Sequence, residues 1–242
     1  MKTSPVLLFG IGLLLSGRVL GQVPHLPSGW QSLKVIESVE PIFPYHLTQV
    51  GVTKGEARIA ISTSVAGKLE EYLVVGYTDR EFADAAVAAI KEWTFEPARL
   101  NGEPVATTAE LIFYFEARGT VVSSATAADI LEAQVRRIID GRYVYHPCTM
   151  RELDRIPLPL VTVHPQYPLQ LAEKGVKGRV TIDFFIDETG AVRMPTGSAE
   201  DNNVLTGLAI DALSKWKFEP PTSRGRAVLV RASQVFNFEN RG

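Results

Sequence analysis

The chain has 242 residues, 25 Lys and Arg against 27 Asp and Glu, a formal net charge of −2 and 45% hydrophobic residues. That length accommodates two small domains, each large enough to fold around its own core. The basic residues are scattered instead of forming a stripe, which argues against a nucleic-acid partner, and a single cysteine, Cys148, excludes an intramolecular disulfide.

The N-terminus reads as an export signal. Lys2 supplies the positive start, residues 5–17 form a 13-residue apolar run, and Val19-Leu20-Gly21 suits cleavage before Gln22. The run falls short of the ~20 residues needed to span a bilayer. Cleavage removes Lys2 and Arg18 and takes the net charge from −2 to −4. If residues 1–21 are retained, the same segment is an anchor. Residues 22–40 are a linker that reaches at most about 65 Å when fully extended.

The first domain spans residues 41–118. Phe43-Pro44 introduces a short helix around Leu47. After Gly51 and Gly55, the spacing of Ala57, Ile59, Ile61 and Thr63 predicts a half-buried strand. Ala66-Gly67 turns the chain into a second strand, Leu69 to Val75. Phe82, Ala85, Ala86, Ala89, Ile90 and Trp93 fall on one face of a helix, with Thr78 and Glu81 in capping-box spacing. Trp93 reads as a core anchor and not as a ligand-stacking ring. A final long strand places Val105, Thr107, Ala109, Leu111, Phe113 and Phe115 on one face.

Residues 119–160 are a connector. Ile130, Leu131, Val135, Ile138 and Ile139 predict a helix over 127–140, and Pro157 and Pro159 an extended lead into the second domain.

The second domain, residues 161–242, repeats the first. Gly55, Gly67, Trp93 and Phe115 recur 123 residues later as Gly178, Gly190, Trp216 and Phe238. A period this long marks two globular domains, since solenoid repeats are usually ~20–50 residues. Tyr167-Pro168 opens this copy. Val180, Ile182, Phe184 and Ile186 alternate with polar residues, Asp187-Glu-Thr-Gly190 makes the turn, and Pro195 places the next strand at an edge or bulge. Leu205, Leu208, Ala209, Ala212, Leu213 and Trp216 form the helix face, with Asp201 as its cap. The last strand carries Val228, Val230, Ala232, Gln234, Phe236 and Phe238. The fold class is α+β: two tandem domains, each a small antiparallel sheet packed by one long and one short helix.

No catalytic, metal or cofactor site emerges. His25, His46, His146 and His164 have no metal-ligand spacing, the acidic turn at 187–190 lacks the calcium-loop pattern, and His146 with Cys148 lacks a supporting acid or elbow.

Tyr167-Pro168, the glycines at 175, 178 and 190, and Trp216-Lys-Phe-Glu-Pro220 together resemble the C-terminal domain of TonB, the periplasmic energy transducer of Gram-negative bacteria. Pro165-Gln166-Tyr167-Pro168 is similar to the segment that opens that domain. The resemblance implies a non-enzymatic periplasmic protein that binds by β-strand addition, pairing an extended segment of a TonB-dependent outer-membrane receptor, or of another periplasmic protein, with its last strand. The implied partner-binding residues are Pro165, Gln166 and Tyr167 beside the strand, and Val228, Leu229, Val230, Arg231, Ser233, Val235 and Asn237 along it. Two alternatives stand beside this: a membrane-anchored energy transducer engaging an inner-membrane motor, if residues 1–21 are retained, and an envelope structural protein whose edges pair with each other or in a homodimer.

Overall fold

The computed structural model describes residues 28–117, 119–124, 143–174, 176–197 and 203–238. Among them the chain divides into two compact units, residues 28–146 and 147–238. The predicted export signal, the helix at 127–140 and Asp201 lie outside the described residues.

In the first unit the order is β1 (Trp30–Gln31), β2 (Lys34–Glu37), a 3-10 turn (Tyr45–Val50), β3 (Lys54–Thr63), β4 (Leu69–Tyr77), α1 (Arg80–Ile90), β5 (Thr94–Glu96), β6 (Ala98–Leu100), β7 (Glu103–Val105), β8 (Thr107–Glu116) and β9 (Gly119–Ser124). The main sheet runs β4-β3-β8-β9; β2 pairs with β5, and a small three-stranded sheet runs β1-β6-β7. Strands β3 and β8 pair antiparallel over ten residues, Lys54 opposite Glu116 through Thr63 opposite Thr107. Alternation puts Ala57, Ile59, Ile61, Leu111 and Phe113 on the face that α1 covers with Phe82, Ala86 and Ile90. Phe82 packs edge-on against Phe43 at 5.5 Å and lies 4.8 Å from Phe115, closing the layer with aromatic rings.

The second unit contains β10 (Pro159–Val161), α2 (Leu169–Glu173), β11 (Gly178–Ile186), β12 (Val192–Gly197), α3 (Asn203–Leu213), β13 (Lys217–Phe218), β14 (Thr222–Ser223), β15 (Arg226–Ala227) and β16 (Val230–Phe238). Its sheet has three strands, β12-β11-β16. Ile182, Phe184, Leu205, Ala209, Leu213, Val230 and Phe236 form the core between sheet and α3. As Pro195 implies, β12 is an edge strand, and its register with β11 slips between Asp183 and Phe185.

Both copies fasten the tryptophan after the helix in the same way. Trp93 Nε1 donates to the Val39 carbonyl at 2.9 Å and Trp216 Nε1 to the Val163 carbonyl at 2.8 Å, tying the lead-in segment down. Gly67 and Gly190 both have positive φ, and a Cβ on either would strike a backbone carbonyl, that of Phe95 or Phe218. The turn therefore demands glycine twice.

Three expectations are corrected. The cap of α1 is Asp79, whose carboxylate accepts from the Glu81 N–H at 2.9 Å, while Thr78 instead accepts from the Glu56 N–H at 2.9 Å. Residues 30–31 and 34–37 of the linker, 119–124 of the connector and 159–161 at its end form strands, none of them marked by apolar alternation in the sequence. Val105 belongs to the separate strand β7, and Val228 precedes β16.

Candidate partner-binding edge

Among the described residues, strand β16 has one full neighbour. It pairs with β11 from Val230 opposite Ile186 to Phe238 opposite Gly178. On its other edge, Cys148 makes a single parallel bridge at Val230: the Cys148 N–H donates to the Leu229 carbonyl at 2.8 Å, and the Arg231 N–H donates to the Cys148 carbonyl at 3.3 Å. In an antiparallel strand, successive residues direct both backbone groups to alternate sides. Arg231 therefore fixes Ser233, Val235 and Asn237 as the residues whose N–H and C=O groups point outward. The Val235 carbonyl accepts from Gln234 Nε2 at 2.9 Å. Among the described residues no strand continues along this edge past Cys148.

The side chains divide as the backbone does. Val230, Ala232, Phe236 and Phe238 are buried, whereas Ser233 and Asn237 are exposed and Val235 is half-buried. Arg231 lies over the ring of Phe185 at 5.9 Å, and Phe185, on the face away from α3, is itself buried.

The residues read from the sequence separate in space. Arg231, Ser233, Val235 and Asn237 line the outward edge. Val228 does not, because its N–H donates to the Pro221 carbonyl at 3.0 Å; Leu229 and Val230 are fully buried, and the Leu229 carbonyl is taken by Cys148. Tyr167 sits at the far end of the strand, its ring 5.8 Å from Phe238 and its O–H donating to the Val176 carbonyl. Just before it, Pro165 is half-buried and Gln166 exposed. Sequence reading missed Cys148 as an edge mate, and nothing local announces a one-residue bridge.

The segment reaching this edge is pinned locally. Thr149 and Glu152 form a capping box, Ser223 Oγ donates to the Glu152 carbonyl at 2.6 Å, and the Asp154 carboxylate accepts the Arg224 and Gly225 N–H groups at 2.7 and 2.8 Å. Those amides, Gly225 first, hold the Asp154 carboxyl below the usual range. Burial, and then Glu152, push the Cys148 thiol up, away from the reactive thiolate.

The matching edge in the first unit is closed. Strand β9 pairs antiparallel with β8 over six residues, Leu111 opposite Ser124 through Glu116 opposite Gly119. The face of that sheet away from α1 is buried too. Arg58 and Glu110 form an ion pair there at 8% and 3% exposure, and Ala60 and Ile112 are fully buried. Beside them the Tyr143 O–H donates to Glu56 Oε2 at 2.6 Å, and burial, then Glu56, raise the Tyr143 phenol. A cleft of about 590 Å³ opens by α1, but Lys54 and Glu116 at its wall already pair at 2.9 Å and Asp79 is spent as a cap. Among the described residues no group of three His, Cys, Asp or Glu side chains is placed to hold a metal ion.

An antiparallel sheet, a long helix across it and a long last strand define a class of small α+β domain, occurring here twice. The sequence profile of the Gram-negative bacterial TonB protein C-terminal family matches residues 40–117 and 163–239, more than half of the chain. The chain belongs to that family and carries its domain in two tandem copies. Among solved structures it is similar to the solution NMR structure of a Pseudomonas aeruginosa TonB C-terminal domain, with 26% identity over 40% of this chain and 97% of that one, at a TM-score of 0.34. No curated protein matches it.

Proposed function

We propose that this TonB-like protein is a non-enzymatic binding module of the periplasm, linked to TonB-dependent outer-membrane transport, and that its second copy captures an extended partner segment by β-strand addition. The observation that carries this is the contrast between the two last strands: β9 pairs with β8 from Leu111 to Glu116, while among the described residues the outer edge of β16 meets the Cys148 bridge alone. An added strand satisfies the outward groups of Ser233, Val235 and Asn237 by main-chain hydrogen bonds, each worth about 0.5–1.5 kcal/mol net. Family membership supports an outer-membrane receptor, or another periplasmic protein, as the source of that segment.

No helix of the described residues is long and apolar enough to cross a membrane. The fate of residues 1–21 therefore decides between a soluble adaptor and a force-transmitting transducer. The intact mass of the native protein separates them: a soluble species starting at Gln22 identifies the adaptor, and a full-length membrane-bound species the transducer.

The binding mode is tested with the extended box peptide of a TonB-dependent receptor from the same bacterium. Ser233→Pro removes an outward donor while leaving the β11 ladder intact, and weakens binding at least tenfold. Ser233→Ala, which keeps the donor, binds as the wild type does. Equal affinities for the two variants would refute strand addition at this edge.

A further inference from the structure

The 123-residue offset places Leu111–Phe115 of β8 on Gln234–Phe238 of β16. Two of the three edge positions at which a partner strand is expected in the second copy, Val235 and Asn237, therefore match Ile112 and Tyr114, where β9 already sits in the first. Strand β9 follows the Phe115 landmark and lies beyond residues 40–117, the first segment that matches the family. Its six residues, Gly119-Thr-Val-Val-Ser-Ser124, carry no charge, and three of them are β-branched. That is a composition suited to an added strand. Only Ala117 and Arg118 separate β8 from β9. A connection that short holds the segment at an effective concentration on the order of millimolar or above, so a free partner at micromolar concentration is outcompeted by roughly a thousandfold unless it binds more tightly.

We propose that β9 is an in-chain occupant of a second, latent partner edge: the first copy retains the strand-binding site, and residues 119–124 hold it closed. The chain then carries one open edge and one gated edge, and a partner engages the first copy only by displacing β9. This rests on the strand-capture reading of β16.

The test uses the full chain, ¹⁵N-labelled, and the acetylated and amidated peptide Gly-Thr-Val-Val-Ser-Ser as probe. The double variant Val121→Pro, Val122→Pro removes donors from β9 whichever parity faces β8. A second variant, with a ten-residue Gly-Ser insertion after Ala117, keeps β9 intact but dilutes it, and serves if the prolines disturb folding. In the wild type the peptide shifts the amides of Ser233, Val235 and Asn237 and leaves Ile112 and Tyr114 unmoved. In either variant it shifts Ile112 and Tyr114 as well, with at least tenfold greater occupancy of the first copy than in the wild type. Shifts confined to β16 in both variants overturn the latent site while leaving strand capture by the second copy standing. Shifts confined to β8 uphold the latent site and count against the β16 reading. Silence at both strands overturns both.

Discussion

Strand β8 has a neighbour on each edge and cover on both faces; among the described residues, strand β16 has a full neighbour on one edge, and its face away from α3 carries the exposed Ser233 and Asn237. The difference reaches individual residues. Where the first copy has Arg58 and Glu110 buried as an ion pair, the second has Thr181 and Ser233, half-buried and exposed. The β3–β4 turn is held by the Ser64 hydroxyl, which accepts the Ala66 and Lys68 N–H groups, whereas the β11–β12 turn is held by the Asp187 carboxylate. The two copies share a core and a helix but have different surroundings. The two copies share what folds the domain and differ at the surface of the sheet: among the described residues, β9 pairs along the last strand of the first, and Cys148 alone bridges the outer edge of the last strand of the second. Unpaired edges invite unwanted association, and here the open one is shortened by Cys148, with the Val235 carbonyl covered by Gln234.

The sharpest way to break this comparison is at the buried pair. Arg58→Ala strands Glu110 as an unpaired buried carboxylate and destabilises the first unit by about 3–5 kcal/mol, while replacing both partners with apolar residues (Arg58→Met with Glu110→Leu) is neutral or stabilising. At the matching position, Thr181→Ala changes the second unit by less than about 1 kcal/mol. Urea unfolding of the full chain with each variant measures both, and equal losses at Arg58 and Thr181 would show that the covered face is not what distinguishes the copies.

A comparison expected to come out equal tests the shared part. Gly67→Ala and Gly190→Ala each force a Cβ against a carbonyl at positive φ and cost about 1–3 kcal/mol or more, in their own unit. A large loss at one and none at the other would mean that the turns are not equivalent.

The smallest effect is acid sensitivity. Burial works to raise the Asp187 carboxyl, but hydrogen bonds from the Thr189 side chain and the Ala191 and Thr189 amides, with Arg193, outweigh it and hold the carboxyl below the usual range. A depressed folded-state pKa gives stability that is full above the unfolded value, about 3.9, and is lost as pH falls through the folded value. The second unit therefore loses stability first on acidification, and Asp187→Asn flattens that dependence. The Ser64 turn contributes none. Far-UV circular dichroism between pH 5 and 2 reads the difference, and an unchanged acid limb in Asp187→Asn would rule out this carboxylate as its source.

Much of the architecture is legible in the residues themselves. Periodicity locates α1, α3, β3, β8, β11 and β16 because each turns an apolar face to the core of its own unit, and the burial of Phe82, Ile90, Leu205 and Leu213 follows it. The candidate edge is only partly legible. Arg231, Ser233, Val235 and Asn237 follow from alternation, but Val228 and Leu229 read as strand until the Pro221 carbonyl and Cys148 claim their backbone groups. Thr78 and Asp79 are adjacent capping residues, and only the cross-chain bond to Glu56 shows which is spent elsewhere.

The sequence by itself determined the repeat, the family and the core of each copy, because these depend on local spacing and on which side chains are apolar. Tertiary structure decided which strands sit beside the last strand of each copy. Whether a strand's outer hydrogen bonds are free depends on what pairs with it. Backbone groups are alike in every residue, so nothing in the composition of β8 or β16 distinguishes an edge that β9 has filled from one that Cys148 touches at a single position.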